Sequence, residues 1–260
     1  MLGAAFGTAA AIYLATRKKH DQLWNTYVMR PLAAGVVAVV WRTRVTPNQI
    51  TLLSLLIFIL GIGVLVGVPT RWGSLFAVLL LEASYLFDCV DGMLARHKKL
   101  ASTTGHLFDF FMDESKATML AGGLALHLYR VGGLAFLPAP WREGDVRFLF
   151  CGIAGVFVVA SALSLTSFVR RPELSGKETT AEAHYEANPE AVPQSPLRRA
   201  AGLVLTFLRF LNHYPSHIWL FALVGRLDAL FFVYLALNAL YLAKGWLGLA
   251  WRFGRFAPQA

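Results

Sequence analysis

The stretch SYLFDCVDGMLARHKKLASTTGHLFDFFMDESK, residues 84–116, joins two long apolar runs and carries four aspartates, Asp88, Asp91, Asp109 and Asp113. Asp88 and Asp91 are three residues apart and Asp109 and Asp113 four apart, so each pair shares one face of a helix. The linker His97–Thr104 is short, which predicts two antiparallel helices with all four carboxylates converging at one end. An aspartate at the centre of a membrane span costs about 2.5–3.5 kcal/mol on insertion scales. Nearer the interface each costs less, yet four together still oppose insertion, and something must offset them. Unpaired, they would repel one another and bind protons. Two divalent cations would balance the four charges, and all-oxygen ligation suits Mg²⁺ or Mn²⁺ rather than Zn²⁺. No Cys/His set with zinc spacing is present. Gly92, Ala95 and Gly105 are small enough for a helix or ligand to approach the backbone closely. Arg96, where its helix ends, can meet a phosphate bidentately.

The rest of the chain supplies the setting. Of its 260 residues 57% are hydrophobic and 15% charged, with a mean hydropathy of +0.55. Soluble domains carry about 25% charged residues. The apolar content excludes a disordered chain, and two cysteines, Cys89 and Cys151, exclude a disulfide-stapled secreted domain. The pattern predicts an all-α integral membrane protein of six transmembrane helices preceded by an interfacial amphipathic helix. The apolar runs fall at about Thr51–Val68, Gly73–Ala95, Gly105–Tyr129, Phe148–Val169, Ser216–Gly225 with its flanks, and Leu227–Ala250. Arg226 makes the fifth the weakest, and the run before it, Ala200–Leu211, is amphipathic.

Three parts follow from this. Residues 1–23 hold a short apolar segment, Leu2–Ala15, and a basic linker. That segment reads as a tilted anchor, an interfacial helix, the remnant of an upstream domain or, less well, a signal-peptide core. Residues 24–46 read as a helix lying on the membrane surface, closed by Thr46-Pro47-Asn48, where a new helix starts. Residues 47–260 form the six-helix domain, with a proline-bearing polar loop at 170–199.

The net charge of +9 has its basic residues at the ends of the apolar runs, which favours contact with anionic lipid over nucleic acid. With the first span starting in the cytoplasm, 18 of the 24 Lys and Arg fall inside and five outside, Lys116 lying within a span. The expectation is a plasma (inner) membrane protein with both bundle ends and the aspartates on the cytoplasmic side.

The pattern Asp88-x2-Asp91-Gly92-x2-Ala95-Arg96-x8-Gly105-x3-Asp109-x3-Asp113 resembles the signature of the CDP-alcohol phosphotransferases at every fixed position. The six-span layout, the surface helix and the Pro47-Asn48-x2-Thr51 start of the first span resemble that family too, over roughly Trp24 to the C-terminus. The resemblance implies an enzyme that moves a substituted phosphate from a CDP-alcohol, most often CDP-diacylglycerol, to a polar alcohol and releases CMP, in phospholipid biosynthesis. It implies that Asp88, Asp91 and Asp109 bind two metal ions, with Asp113 both ligand and general base. Its nucleotide contacts would fall on Gly92, Arg96, Ser102 and Gly105, with Asn48 and Thr51 as further candidates. It also implies a homodimer.

Other residues keep two readings. Lys116 either snorkels or neutralises the aspartates, and with Arg170 and Arg171 is a candidate for acceptor binding; the two arginines read equally as a positive-inside flank. His213, Tyr214 and His217 read as interface anchors rather than catalytic groups. A soluble donor, as in the synthases that join CDP-inositol to inositol phosphate, is an alternative. Two rival classes are weaker. Intramembrane prenyltransferases place their acidic motifs in distant halves of a longer bundle. A divalent-cation transporter needs carboxylates near the midplane with paths to both sides. Release of CMP separates all three.

Overall fold

The computed structural model describes residues 2–17, 21–134, 139–169, 171, 202, 206–208 and 210–253. Its described regular elements are helical: α1 (Leu2–Thr16), a π-helical stretch (Asn25–Met29) running into α2 (Arg30–Val40), α3 (Pro47–Gly67), α4 (Arg71–His97), α5 (Thr103–Val131), α6 (Arg147–Val169), a 3₁₀ turn (Tyr214–Ser216), α7 (Ile218–Leu223) and α8 (Leu227–Phe253).

Local sequence sets where these helices begin. Thr46 caps α3 in a reciprocal capping box with Gln49, and Pro47 takes the first helical position. Thr70 caps α4 through the Gly73 N–H, and Ser102 caps α5 through the Gly105 N–H at 3.1 Å. Among the described residues four helices are long and apolar enough to cross a membrane: α3, α4, α6 and Leu227–Trp251 of α8. The chain is accordingly a multi-pass integral membrane protein. α5 has 29 residues, about 43 Å at 1.5 Å per residue, but carries the acidic cluster and Lys116 in its first half. Where a fifth span was expected, the described residues give the six-residue α7, and Gly225 just beyond it takes φ 68°. The loop expected at 170–199 lies, apart from Arg171, outside the described residues.

Packing is centred on α3. It lies against both α4 and α5, whereas α4 and α5 make almost no close backbone contact with each other. This departs from the direct helix pair that the short linker suggests. Small residues allow the close approaches: a Cβ on Gly61 would come within 2.9 Å of Leu81, and one on Gly152 within 2.5 Å of the Ala125 Cβ. Ser54 and Ser84 each donate to the other's carbonyl at 2.8 Å, tying α3 to α4. The main core joins Phe58, Leu81, Leu124, Phe148 and Phe231. A second cluster seats Ile12 of α1 and Ala33, Ala34 and Val37 of α2 against Val90, Met93 and Leu94 of α4. Leu56 and Leu60 on α3, Phe150, Ile153 and Phe157 on α6, and Leu247 on α8 stay exposed. Large apolar side chains exposed together in this way suit a lipid surround.

Candidate active site

The carboxylates of Asp88, Asp91 and Asp109 each place an oxygen within 4.8 Å of the others. Among the described residues this is the group able to hold a metal ion. Two of its members come from the last turns of α4 and one from the second turn of α5, so the short 98–102 connection fixes both at one end of the bundle. Because α3 spaces the two helices, the side chains meet across a gap rather than at a backbone contact.

Asp91 is buried, 4% exposed. The Thr51 hydroxyl of α3 donates to its Oδ2 at 2.6 Å, with the Pro47 carbonyl at 3.2 Å as a weaker second acceptor for the same proton. Thr51 thus aims the carboxylate. Asp88 is less enclosed, and its Oδ1 accepts from Lys116 Nζ at 2.5 Å. The same ammonium reaches Asp113 Oδ1 at 3.3 Å. Asp113 is not in the trio; its side chain is half exposed at 51% and is joined to Asp88 through Lys116. The Lys116 side chain is only 5% exposed. A buried charge of that kind is tolerated when it is paired and hydrogen-bonded. Of the two readings of Lys116, the geometry matches the neutralising one.

The residues proposed for the nucleotide gather beside this cluster. A Cβ on Gly105 would stand 3.1 Å from Ser102 Oγ and 3.6 Å from Asn48 Oδ1, so these three share one spot at the start of α5. Arg96 folds back over Gly92, where a Cβ would lie 3.6 Å from its guanidinium. Its Nε donates to the Thr16 carbonyl at the end of α1, at 3.1 Å. Bulk at either glycine would intrude on these polar groups. Arg171 is exposed at the end of α6, and Arg170 lies outside the described residues.

Some groups near the site carried no local signal in the sequence. Tyr85, one turn before Asp88, donates to Asn25 Oδ1 at 2.7 Å and lies 2.8 Å from His213 Nε2. The Tyr85 proton is used on Asn25, so His213 donates from Nε2 and accepts the Ser216 hydroxyl at Nδ1, 2.6 Å away. His213 is therefore a neutral, packed side chain rather than an interface anchor. Burial pushes its pKa down to about 4, more than nearby Asp21 and Asp88 raise it. Asp21 accepts from Asn25 at 2.9 Å and pairs with Arg30. Burial raises the Asp21 pKa, but Arg30 and the hydrogen bonds outweigh it and hold the group below the usual carboxylate value. Partners such as Asn25, Tyr85 and His213 lie 60 and 128 residues apart along the chain, out of reach of any spacing rule.

The donor set fits a hard divalent cation: three converging carboxylates, one oriented by a hydroxyl, with no thiol or imidazole in the group. The arrangement brings carboxylates able to hold a metal ion, a guanidinium and small backbone positions to one end of a membrane bundle, which suits binding and cleavage of a diphosphate. Comparison with known proteins gives the same direction. No curated protein matches the chain, but residues 44–224 match the family model described as CDP-alcohol phosphatidyltransferase.

Proposed function

Since the chain belongs to the CDP-alcohol phosphatidyltransferase family, we propose that it transfers a phosphatidyl group from CDP-diacylglycerol to the hydroxyl of a polar alcohol and releases CMP. The observation that carries this reading is the convergence of Asp88, Asp91 and Asp109 within 4.8 Å where α4 ends and α5 begins. A lipid donor can leave its tails among the exposed apolar side chains of the bundle while its diphosphate reaches the carboxylates.

Each residue has a task in that reaction. Asp88, Asp91 and Asp109 would hold divalent metal, Mg²⁺ or Mn²⁺, whose charge would stabilise the phosphoryl oxygens and the departing CMP. Thr51 keeps Asp91 aimed at it. Arg96 meets a phosphate of the donor, and the small surfaces of Gly92 and Gly105, with Ser102 and Asn48, receive the nucleotide. Asp113 is half exposed, so an alcohol arriving from water can present its hydroxyl there. Asp113 takes that proton as the alcohol oxygen bonds to phosphorus and the bond to CMP breaks. Around this site we place six spans, with both bundle ends and the aspartates in the cytoplasm of the plasma membrane, and two chains per assembly.

The test is direct. Purified protein in detergent is incubated with CDP-diacylglycerol, Mg²⁺ and a panel of alcohols: glycerol phosphate, serine, inositol phosphate, choline and ethanolamine. CMP should appear with one of them and vanish on chelation. No CMP with any alcohol, at saturating metal, overturns the reading.

A further inference from the structure

Resting on that reading of the site, we propose that α1 is a positioning element for the donor: the Thr16 carbonyl holds Arg96 by Nε, so that its two terminal nitrogens meet a phosphate of the CDP-alcohol. α1 lies before residues 44–224, the part matched to the family. Its last turn nevertheless reaches Arg96, 80 residues further along the chain. Three contacts seat that turn. Ile12, 2% exposed, packs in one cluster with Val90, Met93 and Leu94 of α4. The Tyr13 hydroxyl donates to the Thr26 carbonyl at 3.0 Å. Thr16 is buried, and its hydroxyl turns back to the Ile12 carbonyl at 2.7 Å. The Thr16 backbone carbonyl is thus fixed against the end of α4 that carries Asp91, Gly92 and Arg96.

The match is chemical as well as geometric. Carbonyls in the last turn of a helix lack a partner within it and carry the negative end of its dipole. A guanidinium answers both needs, and here it does so through Nε, at 3.1 Å. Nη1 and Nη2 of Arg96 lie over Gly92, 3.6 and 3.8 Å from where a Cβ would stand. Helical side chains lean toward the N-terminus of their helix, so Arg96 covers the turn that holds Gly92 and Asp91. With Nε held by Thr16, the pair that can grip a phosphate bidentately is Nη1 with Nη2. A long side chain loses rotamer freedom when it docks on a ligand. The Thr16 bond takes part of that loss before the donor arrives.

The experiment is a double-mutant cycle on the full-length chain in nanodiscs, read by calorimetric binding of CDP with Mg²⁺ present. Ile12→Asn sets an amide against Val90, Met93 and Leu94, which lifts α1 and Thr16 away without altering a residue of the site. Ile12→Ala takes its place where the asparagine variant does not fold. Arg96→Met removes the donors and keeps the length of the side chain. Loss of a hydrogen bond to a charged group weakens binding by about tenfold. Ile12→Asn should therefore raise the Kd for CDP by about that factor when Arg96 is present. In the Arg96→Met background it should change the Kd by less than about twofold, because α1 then has nothing to hold. The KM for CDP-diacylglycerol should rise with the Kd while kcat stays nearly unchanged. An equal loss in both backgrounds overturns the proposal, since α1 would then act on the fold alone. An unchanged Kd in a folded Ile12 variant overturns it too. Arg96→Met binding CDP as well as wild type does overturns both the proposal and the assignment of Arg96. The expected Kd pattern without CMP release from any alcohol overturns the reaction and supports the positioning role.

Discussion

Thr51 on α3 and Asp91 on α4, 40 residues apart in sequence, meet through a 2.6 Å hydrogen bond that aims a buried carboxylate toward those of Asp88 and Asp109. Thr51→Val keeps the shape and removes the donor. Loss of such a supporting bond typically costs about 10–100-fold in metal affinity. The Mg²⁺ concentration for half-maximal CMP release should rise by about that factor, with turnover at saturating Mg²⁺ little changed. A Mg²⁺ titration checks this; an unchanged midpoint would mean that Thr51 does not orient Asp91.

Asp113 and Asp91 should part company on substitution. With Asp91 as a proposed metal ligand, Asp91→Asn should weaken ion binding, and excess Mg²⁺ should recover part of the activity. With Asp113 as the proposed proton acceptor, Asp113→Asn should cost about 10²–10⁴-fold in kcat that added metal does not restore, with KM for the donor nearly unchanged. Equal rescue of the two variants would refute the assignment of the base.

Gly105→Ala would set a methyl 3.1 Å from Ser102 Oγ and 3.6 Å from Asn48 Oδ1. The capping hydroxyl must then shift by a few tenths of an ångström. The donor KM should increase several-fold while the protein keeps its thermal stability within about 1 kcal/mol. Binding of CDP, measured calorimetrically, reports on it without turnover.

Stability should depend on pH through His213. Its folded pKa of about 4 lies below the unfolded value of 6.5, so the unfolded chain binds the extra proton between them. Stability from this group is complete above pH 6.5 and falls by about 1.4 kcal/mol per unit as pH drops toward 4, roughly 3 kcal/mol in all. His213→Asn should remove that slope. Parallel melting curves of the two proteins from pH 8 to 4 would contradict the prediction.

Much of this arrangement can be read from sequence because the signals are local. Apolar runs announce the spans, and the i+3 and i+4 spacing of the aspartates puts each pair on one helix face. Thr46-Pro47 marks the start of α3 because capping is a property of adjacent residues. Other features depend on which helices touch, and no spacing records that. The role of α3 as a spacer between α4 and α5 rests on small residues such as Gly61 and Ser54 meeting partners on α4. The seating of α1 depends on Ile12 finding Val90, Met93 and Leu94. Lys116 shows the limit well: the sequence puts it one turn from Asp113, but only tertiary packing delivers Asp88 to its ammonium.

The reciprocal bonds between Ser54 and Ser84 leave neither hydroxyl wanting a partner in the middle of the bundle. They turn α3 and α4 into a single slab that needs no water to hold it. An enzyme built this way has one wall that is hard to alter and one that is free to drift. A lineage adapting to a bulkier or smaller alcohol could do so by remodelling the turn before α7. The slab would continue to carry Thr51, Asp88 and Asp91 in fixed register, and chemistry would be inherited separately from taste.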